Sequence, residues 1–152
     1  MDKIETISEI QLAVKAELEK NSYFAVHGVP ILIENAKDIE YQIKNAMSSL
    51  GITATVSTPS LTYRGDYTDE NGQYPYWELP SFNVVVVENP TLNRGRANYA
   101  TALDTSLQIA ETLNTIPNVC NNTIRQTTTG GLVVVTVEVK SNIAFRYEKV
   151  NE

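Results

Sequence analysis

Ile4, Ile7, Ile10, Val14 and Leu18 recur at steps of three and four, with Glu5, Glu9, Glu17 and Lys20 on the other faces. This period matches the turn of an α-helix and predicts an amphipathic helix of about four turns, ended by Asn21-Ser22. Val26-His27-Gly28-Val29-Pro30 reads as a connector into a short apolar strand, Ile31-Leu32-Ile33. Asn35 is placed to cap a second helix with Asp38 in its first turn. Its buried stripe is Ile39, Ile43, Ala46, Met47 and Leu50, and Gly51 stands where a C′ glycine belongs. Ile52 to Ser57 alternates with period two, the pattern of a half-buried strand. Phe82 to Val87 is a β-branched run of the kind covered on both faces, so Val85 is expected inside. Asn89-Pro90 stops it. A third helix is predicted from about Ala97 to Leu113, with Tyr99, Leu103, Leu107, Ala110 and Leu113 on its buried stripe. Gly130-Gly131 precedes the long β-branched stretch Leu132–Val139, and Ser141-Asn142 turns it into a last strand, Ile143–Tyr147.

The predicted order is α-β-α-β-loop-β-α-β-β, a single α+β domain over residues 1–152. It has a mixed, mainly antiparallel β-sheet packed by three helices. Phe82–Val87 and Leu132–Val139 are its central strands, and the helices are expected to cover both faces. The 152 residues contain no internal repeat and no linker that would divide them. A chain of this size buries roughly 70% of its unfolded surface and needs no disulfide or metal to hold it. The first twenty residues hold no unbroken apolar stretch, and runs such as Val84–Val87 fall far short of the roughly 20 residues that span a bilayer. Neither a secretory signal nor a membrane anchor is expected, and synthesis in a cytoplasm is.

Twelve Lys and Arg against eighteen Asp and Glu give a net charge of −6. That balance argues against a general nucleic-acid binder, which draws on clustered cations. Catalytic candidates are few. His27 is the only histidine and Cys120 the only cysteine, which cannot build a Cys/His zinc site or a disulfide framework. His27 lies in a Gly/Pro-bracketed connector with no nucleophile motif around it and reads as solvent-facing or backbone-bonded. Cys120 falls in a polar turn, Cys120-Asn121-Asn122-Thr123, as a half-exposed structural thiol. For calcium, Asp69, Asn71, Gly72 and Glu78 fit positions of a loop of the EF-hand type. Tyr67 occupies the first ligand position and Pro75 interrupts the loop, so an acidic surface loop is the better reading. No Gly-rich phosphate motif is present, and Arg94-Gly95-Arg96 before a helix is expected to be a solvated or interface-facing turn. No catalytic residue, metal or cofactor is therefore expected, and the chain is not read as an enzyme.

The segment at about 58–80 differs in kind. Tyr63, Tyr67, Tyr74, Tyr76 and Trp77 are five of the twelve aromatic residues, and five acids with no Lys or Arg lie between Asp66 and Glu88. Tyr and Trp in a polar, Pro- and Gly-broken loop are typical of contact surfaces. The competing reading is a lid folded over the sheet edge. Contact residues are expected at Tyr63, Tyr67, Tyr74, Tyr76, Trp77, Arg94 and Arg96.

The element order, the strand Phe82–Val87, the step Glu88-Asn89-Pro90…Arg94 and the helix pattern Ala100-x-x-Leu103-x-x-x-Leu107 resemble phage tail-terminator and tail-completion proteins of the Mu-like prophage type. The likeness covers roughly residues 31–113. It implies a non-enzymatic ring protein, commonly a hexamer, that caps the tail tube on its head-proximal side. Its partners would be other copies of itself and other tail proteins, with no specific nucleic acid and no membrane. Its place would be the virion tail, after synthesis in the bacterial host cytoplasm. The family contributes no catalytic residues, and the long aromatic loop departs from its pattern. A small ion- or ligand-binding module using the acidic aromatic loop is the alternative.

Overall fold

The computed structural model describes residues 2–4, 6–65 and 76–147. In chain order these form β1 (Asp2–Ile4), α1 (Ile7–Glu19), α2 (Tyr23–Val26), β2 (Ile31–Ile33), α3 (Ile39–Ser49), β3 (Ile52–Val56), β4 (Ser60–Arg64), β5 (Tyr76–Glu88), α4 (Pro90–Asn93), α5 (Ala102–Leu113), β6 (Val119–Thr129) and β7 (Leu132–Tyr147). The fold is α+β, with three long helices and a mainly antiparallel sheet. All seven strands belong to that one sheet.

Its frame is the antiparallel pair β5–β7, in register from Glu88 opposite Val133 to Trp77 opposite Phe145. The far edge of β5 carries β3 opposite residues 84–88 and β4 opposite residues 76–81. The far edge of β7 carries β6 along most of its length, then β1 in parallel beside residues 145–147. β2 lies parallel to β3 at the sheet margin. Pro80 falls where the register slips between Leu79 and Ser81. A proline has no N–H for the ladder and is tolerated at such an irregularity.

Alternation decides what is inside. Phe82, Val84, Val86 and Glu88 of β5 and Val135, Val137 and Val139 of β7 are buried, on the face that carries α1 and α5. Val14, Leu18, Ile109 and Leu113 fill the space between these layers. The other face is thinly covered. Val85, Val87 and Val134 are only half-buried, so the expected cover on both faces is absent and Val85 is not a core residue. The reason lies in α3, which rests chiefly on β2 and β3 and adds no residue to the principal core.

Several boundaries differ from the sequence reading. The first helix starts at Ile7, because the residues before it form β1. The third long helix starts at Ala102 rather than Ala97, capped by Thr101, whose Oγ1 accepts the Asp104 N–H at 3.2 Å. Its buried face is Ala102, Thr105, Ser106, Ile109, Ala110 and Leu113, while Tyr99, Leu103 and Leu107 are exposed. Small and hydroxylic residues let this helix settle close to a valine-rich sheet, an arrangement that a search for large apolar residues misses. The polar turn assigned to Cys120 is part of β6, where Cys120 is an exposed thiol. Gly130 and Gly131, at φ +56° and +81°, form the two-residue turn between β6 and β7. Positive φ at both central positions is what a type I′ hairpin requires. Finally, β7 runs through Ser141-Asn142 as one strand instead of two.

Candidate functional site

The two clusters expected to make contacts lie at opposite ends of β5. Trp77 and Glu88 are eleven residues apart in that strand, a separation of roughly 35 Å along an extended chain.

At the Trp77 end, the described flanks of the segment expected to be an irregular loop, residues 60–64 and 76–80, are paired antiparallel strands. Tyr63 of β4 pairs with Trp77, and Arg64 with Tyr76. The Tyr63 and Trp77 rings lie on the same face with centroids 5.0 Å apart and planes inclined by 52°. Trp77 packs against the core and pairs with buried Phe145 on its other side, whereas Tyr63 is 54% exposed. Arg64 reaches Glu78 at 3.6 Å on the opposite face. Tyr67 and Tyr74 lie outside the described residues, as do Asp69, Asn71 and Gly72 of the calcium pattern. One aromatic here therefore belongs to the domain and another is displayed.

At the Glu88 end the chain turns sharply through α4. Gly51 makes room for that turn: at φ +79°, a Cβ there would stand 2.8 Å from the Asn93 amide nitrogen. The carboxylate of Glu88 is fully buried, and four donors converge on it. Its Oε2 accepts from Asn93 Nδ2 at 2.7 Å and from Arg94 Nε at 3.1 Å. Its Oε1 accepts from Arg94 Nη2 at 3.4 Å and from the Ala102 N–H at 3.1 Å. The last contact puts a negative charge at the N-terminus of α5, where the helix dipole favours it. Burial pushes the Glu88 pKa up, but the donors Arg94, Asn93 and Ala102, with the Arg94 charge, outweigh it and hold the carboxyl below its usual value.

The network continues outward. Asn93 Nδ2 also donates to the Ala100 carbonyl at 2.9 Å, and its Oδ1 accepts from Arg96 Nη2 at 2.8 Å. Arg96 Nη2 further meets the His27 carbonyl at 3.2 Å. The His27 ring sits 2.8 Å, through Nδ1, from the Asn98 carbonyl and 4.4 Å, centroid to centroid, from the Tyr23 ring. His27 is thus backbone-bonded. Arg94 and Arg96, expected to face a partner, both bind within their own chain, although Arg94 keeps 47% of its side chain exposed. Each Glu88 oxygen already holds two donors, so this carboxylate fastens the turn and is not free to move a proton. The sequence signal for it was an acid closing a valine run, with Asn and Arg five and six residues later.

A third feature was not legible in the sequence. A cleft of about 300 Å³ opens between α1 and the sheet, lined chiefly by Ile10, Val14, Leu79, Phe82 and Phe145 with Glu9 and Glu17. Among the described residues no cluster of three His, Cys, Asp or Glu side chains could hold a metal, and no helix is long and apolar enough to cross a membrane.

No protein-family model matches the chain, and no curated protein matches its sequence. Among solved structures it is similar to biotin protein ligase from Leishmania major in complex with biotinyl-5-AMP, at 8% identity and a TM-score of 0.26. The match covers 72% of this chain and 55% of the ligase, so the chain spans about half of that protein's length. Similarity this slight carries no argument about fold or activity.

Proposed function

We propose that this chain is a non-enzymatic structural protein of a phage or prophage tail, a ring-forming terminator or completion protein at the head-proximal end of the tail tube. The resemblance in element order motivates the reading. The observation that supports it is the division of labour along β5. Glu88, Asn93, Arg94 and the Ala102 N–H hold one another in a closed network at one end of the strand, and Tyr63 is displayed at the other. A contact between unlike ends of successive copies is heterologous and closes into a ring when the rotation permits. Tyr63 and Tyr76, at one end, and the exposed part of Arg94, at the other, are the described residues for that contact. The protein then resides in the virion tail, with other tail proteins as partners.

Light scattering across ionic strength, with and without the tail tube protein, tests this. Rings of one size that form on the tube at low salt are the expected result, weakened by Tyr63→Ala. A chain that never associates with the tube, even at low salt, would remove the proposal.

A further inference from the structure

A long, unguarded sheet edge and an exposed apolar helix flank lie on the same side of this molecule. β6 is the edge. Among the described residues it pairs with β7 alone, so every second N–H and C=O along its outer side has no strand to meet. Natural edge strands are blunted by lysines, prolines, inward charges or bulges. β6 contains no lysine and no proline, its only charge is Arg125, and its one register irregularity lies at its start, between Val119 and Asn121. Residues 125–129 are exposed.

The flank belongs to α5. At about 100° per residue, Leu103, Leu107, Ala110 and Asn114 fall within one narrow sector of the helix and its C-cap. Asn122 of β6 fixes which way that sector looks, because its Nδ2 donates to the Ala110 carbonyl at 3.0 Å and to Asn114 Oδ1 at 2.9 Å. The opposite sector, with Thr105, Gln108 and Thr112, meets Tyr23 and Asn21. Leu103 and Leu107, 50% and 53% exposed, therefore overhang the β6 edge, and Tyr99, 42% exposed, precedes them in the chain.

We infer that β6 and this flank of α5 form a self-complementary interface that joins two copies of the chain across a two-fold axis, with the β6 strands antiparallel. Length selects the occupant. The free edge on the other side of the sheet is broken into β4, of five residues, and β2, of three, so the match for an 11-residue edge is another β6. Charge permits it, since a strand whose single charge is Arg125 can pair with its own copy in registers that keep the two arginines apart. Such a pair extends the sheet through both copies and brings the two α5 flanks to the same side of it. A specific interface must bury more than about 1,000 Å², so the strand pair needs the two α5 flanks, with Leu103 and Leu107, as part of it. The interface stands with or without the tail reading: it is an isologous pair, whereas the ring contact uses the ends of β5.

Sedimentation equilibrium of the full chain tests it, in reducing buffer because Cys120 is exposed. The expected mass is twice the 16.9 kDa of one chain. Leu107→Glu, placed beside Glu111, and Thr127→Lys, a charge on the edge, both alter exposed residues and should leave the melting temperature of the dilute, dissociated chain unchanged. Each should raise the dimer Kd by at least about tenfold. Amide exchange along residues 123–129 should be slow in the dimer and fast on dilution. A parent that stays monomeric at roughly 100 µM overturns the interface, as does a dimer indifferent to both variants. Protection of these amides that arises only when a different protein is added overturns it as well, since the edge then serves a heterologous strand. Tyr63→Ala, which probes the ring contact, should leave this dimer intact, so the two readings fail separately.

Discussion

The two ends of β5 solve opposite problems with the same strand. At Glu88 a charged group is fully buried, and the turn through α4 delivers four donors to it. At Trp77 a large apolar group is only partly buried and leans on a displayed tyrosine. The first end is polar and closed, and the second is apolar and open. Residue type alone therefore says little about which side chain is displayed. Supply of partners within the chain decides it: Glu88 has all it can use, and Tyr63 does not.

Moving the charge two residues along the strand breaks the comparison most severely. Val86 shares the buried face with Glu88 and lies fully buried in the hydrophobic core. Val86→Asp should cost on the order of 4 kcal/mol or more and unfold the domain at ordinary temperature, read as the denaturant midpoint. Val85→Asp, on the half-covered face, should cost clearly less, and equal losses for the two would refute the assignment of faces. Glu88→Ala comes next, at about 2–4 kcal/mol, because it strands one N–H of the Asn93 amide and the Ala102 N–H and leaves a cavity.

The same carboxylate makes stability depend on pH. Its folded pKa is lowered, so the unfolded chain takes up the proton first as pH falls. The contribution is fully present above the ordinary carboxylate range of about 4.3 and drains away below it. Midpoints measured from neutral pH downward should fall more steeply for the parent than for Glu88→Ala. At the open end, Trp77→Ala should cost about 2 kcal/mol, since the ring is only partly buried. Tyr63→Ala should be the smallest effect, below about 1 kcal/mol in the free domain, because that ring gives up half its surface to solvent already. A larger loss at Tyr63 than at Trp77 would exchange their roles.

The α+β class and both central strands were legible because Phe82–Val87 and Leu132–Val139 have a β-branched content that few other structures would use. β6 was not. An edge strand answers to backbone pairing and needs no apolar alternation, so Asn121, Asn122 and Thr123 read as a turn, and Gly130-Gly131 as no more than the approach to the next strand. The stripe of α5 was read from its largest residues, and Leu103 and Leu107 proved to be the displayed ones. Contact with the sheet falls instead to Ala102, Ser106 and Ile109, whose small members permit close approach. Arg94 and Arg96 read as a solvated or interface-facing turn, and their bonds to Glu88, Asn93 and the His27 carbonyl were not legible, because such proximity is a property of the fold and not of spacing.

The position of β7 has a consequence for synthesis. β7 is paired along nearly its whole length on both sides, with β5 and with β6 and then β1, yet it is the last strand of the sheet to leave the ribosome. From Glu88 to the start of β7 the ribosome needs roughly 2–9 seconds at ordinary elongation rates. During that interval β5 presents its valine-rich edge with nothing to cover it, and β1, made first of all, waits for residues 145–147. A nascent chain halted before Leu132 is therefore an aggregation hazard. The two-residue Gly130-Gly131 turn makes β6–β7 a local pairing, and local pairings close faster than the distant one between β7 and β5.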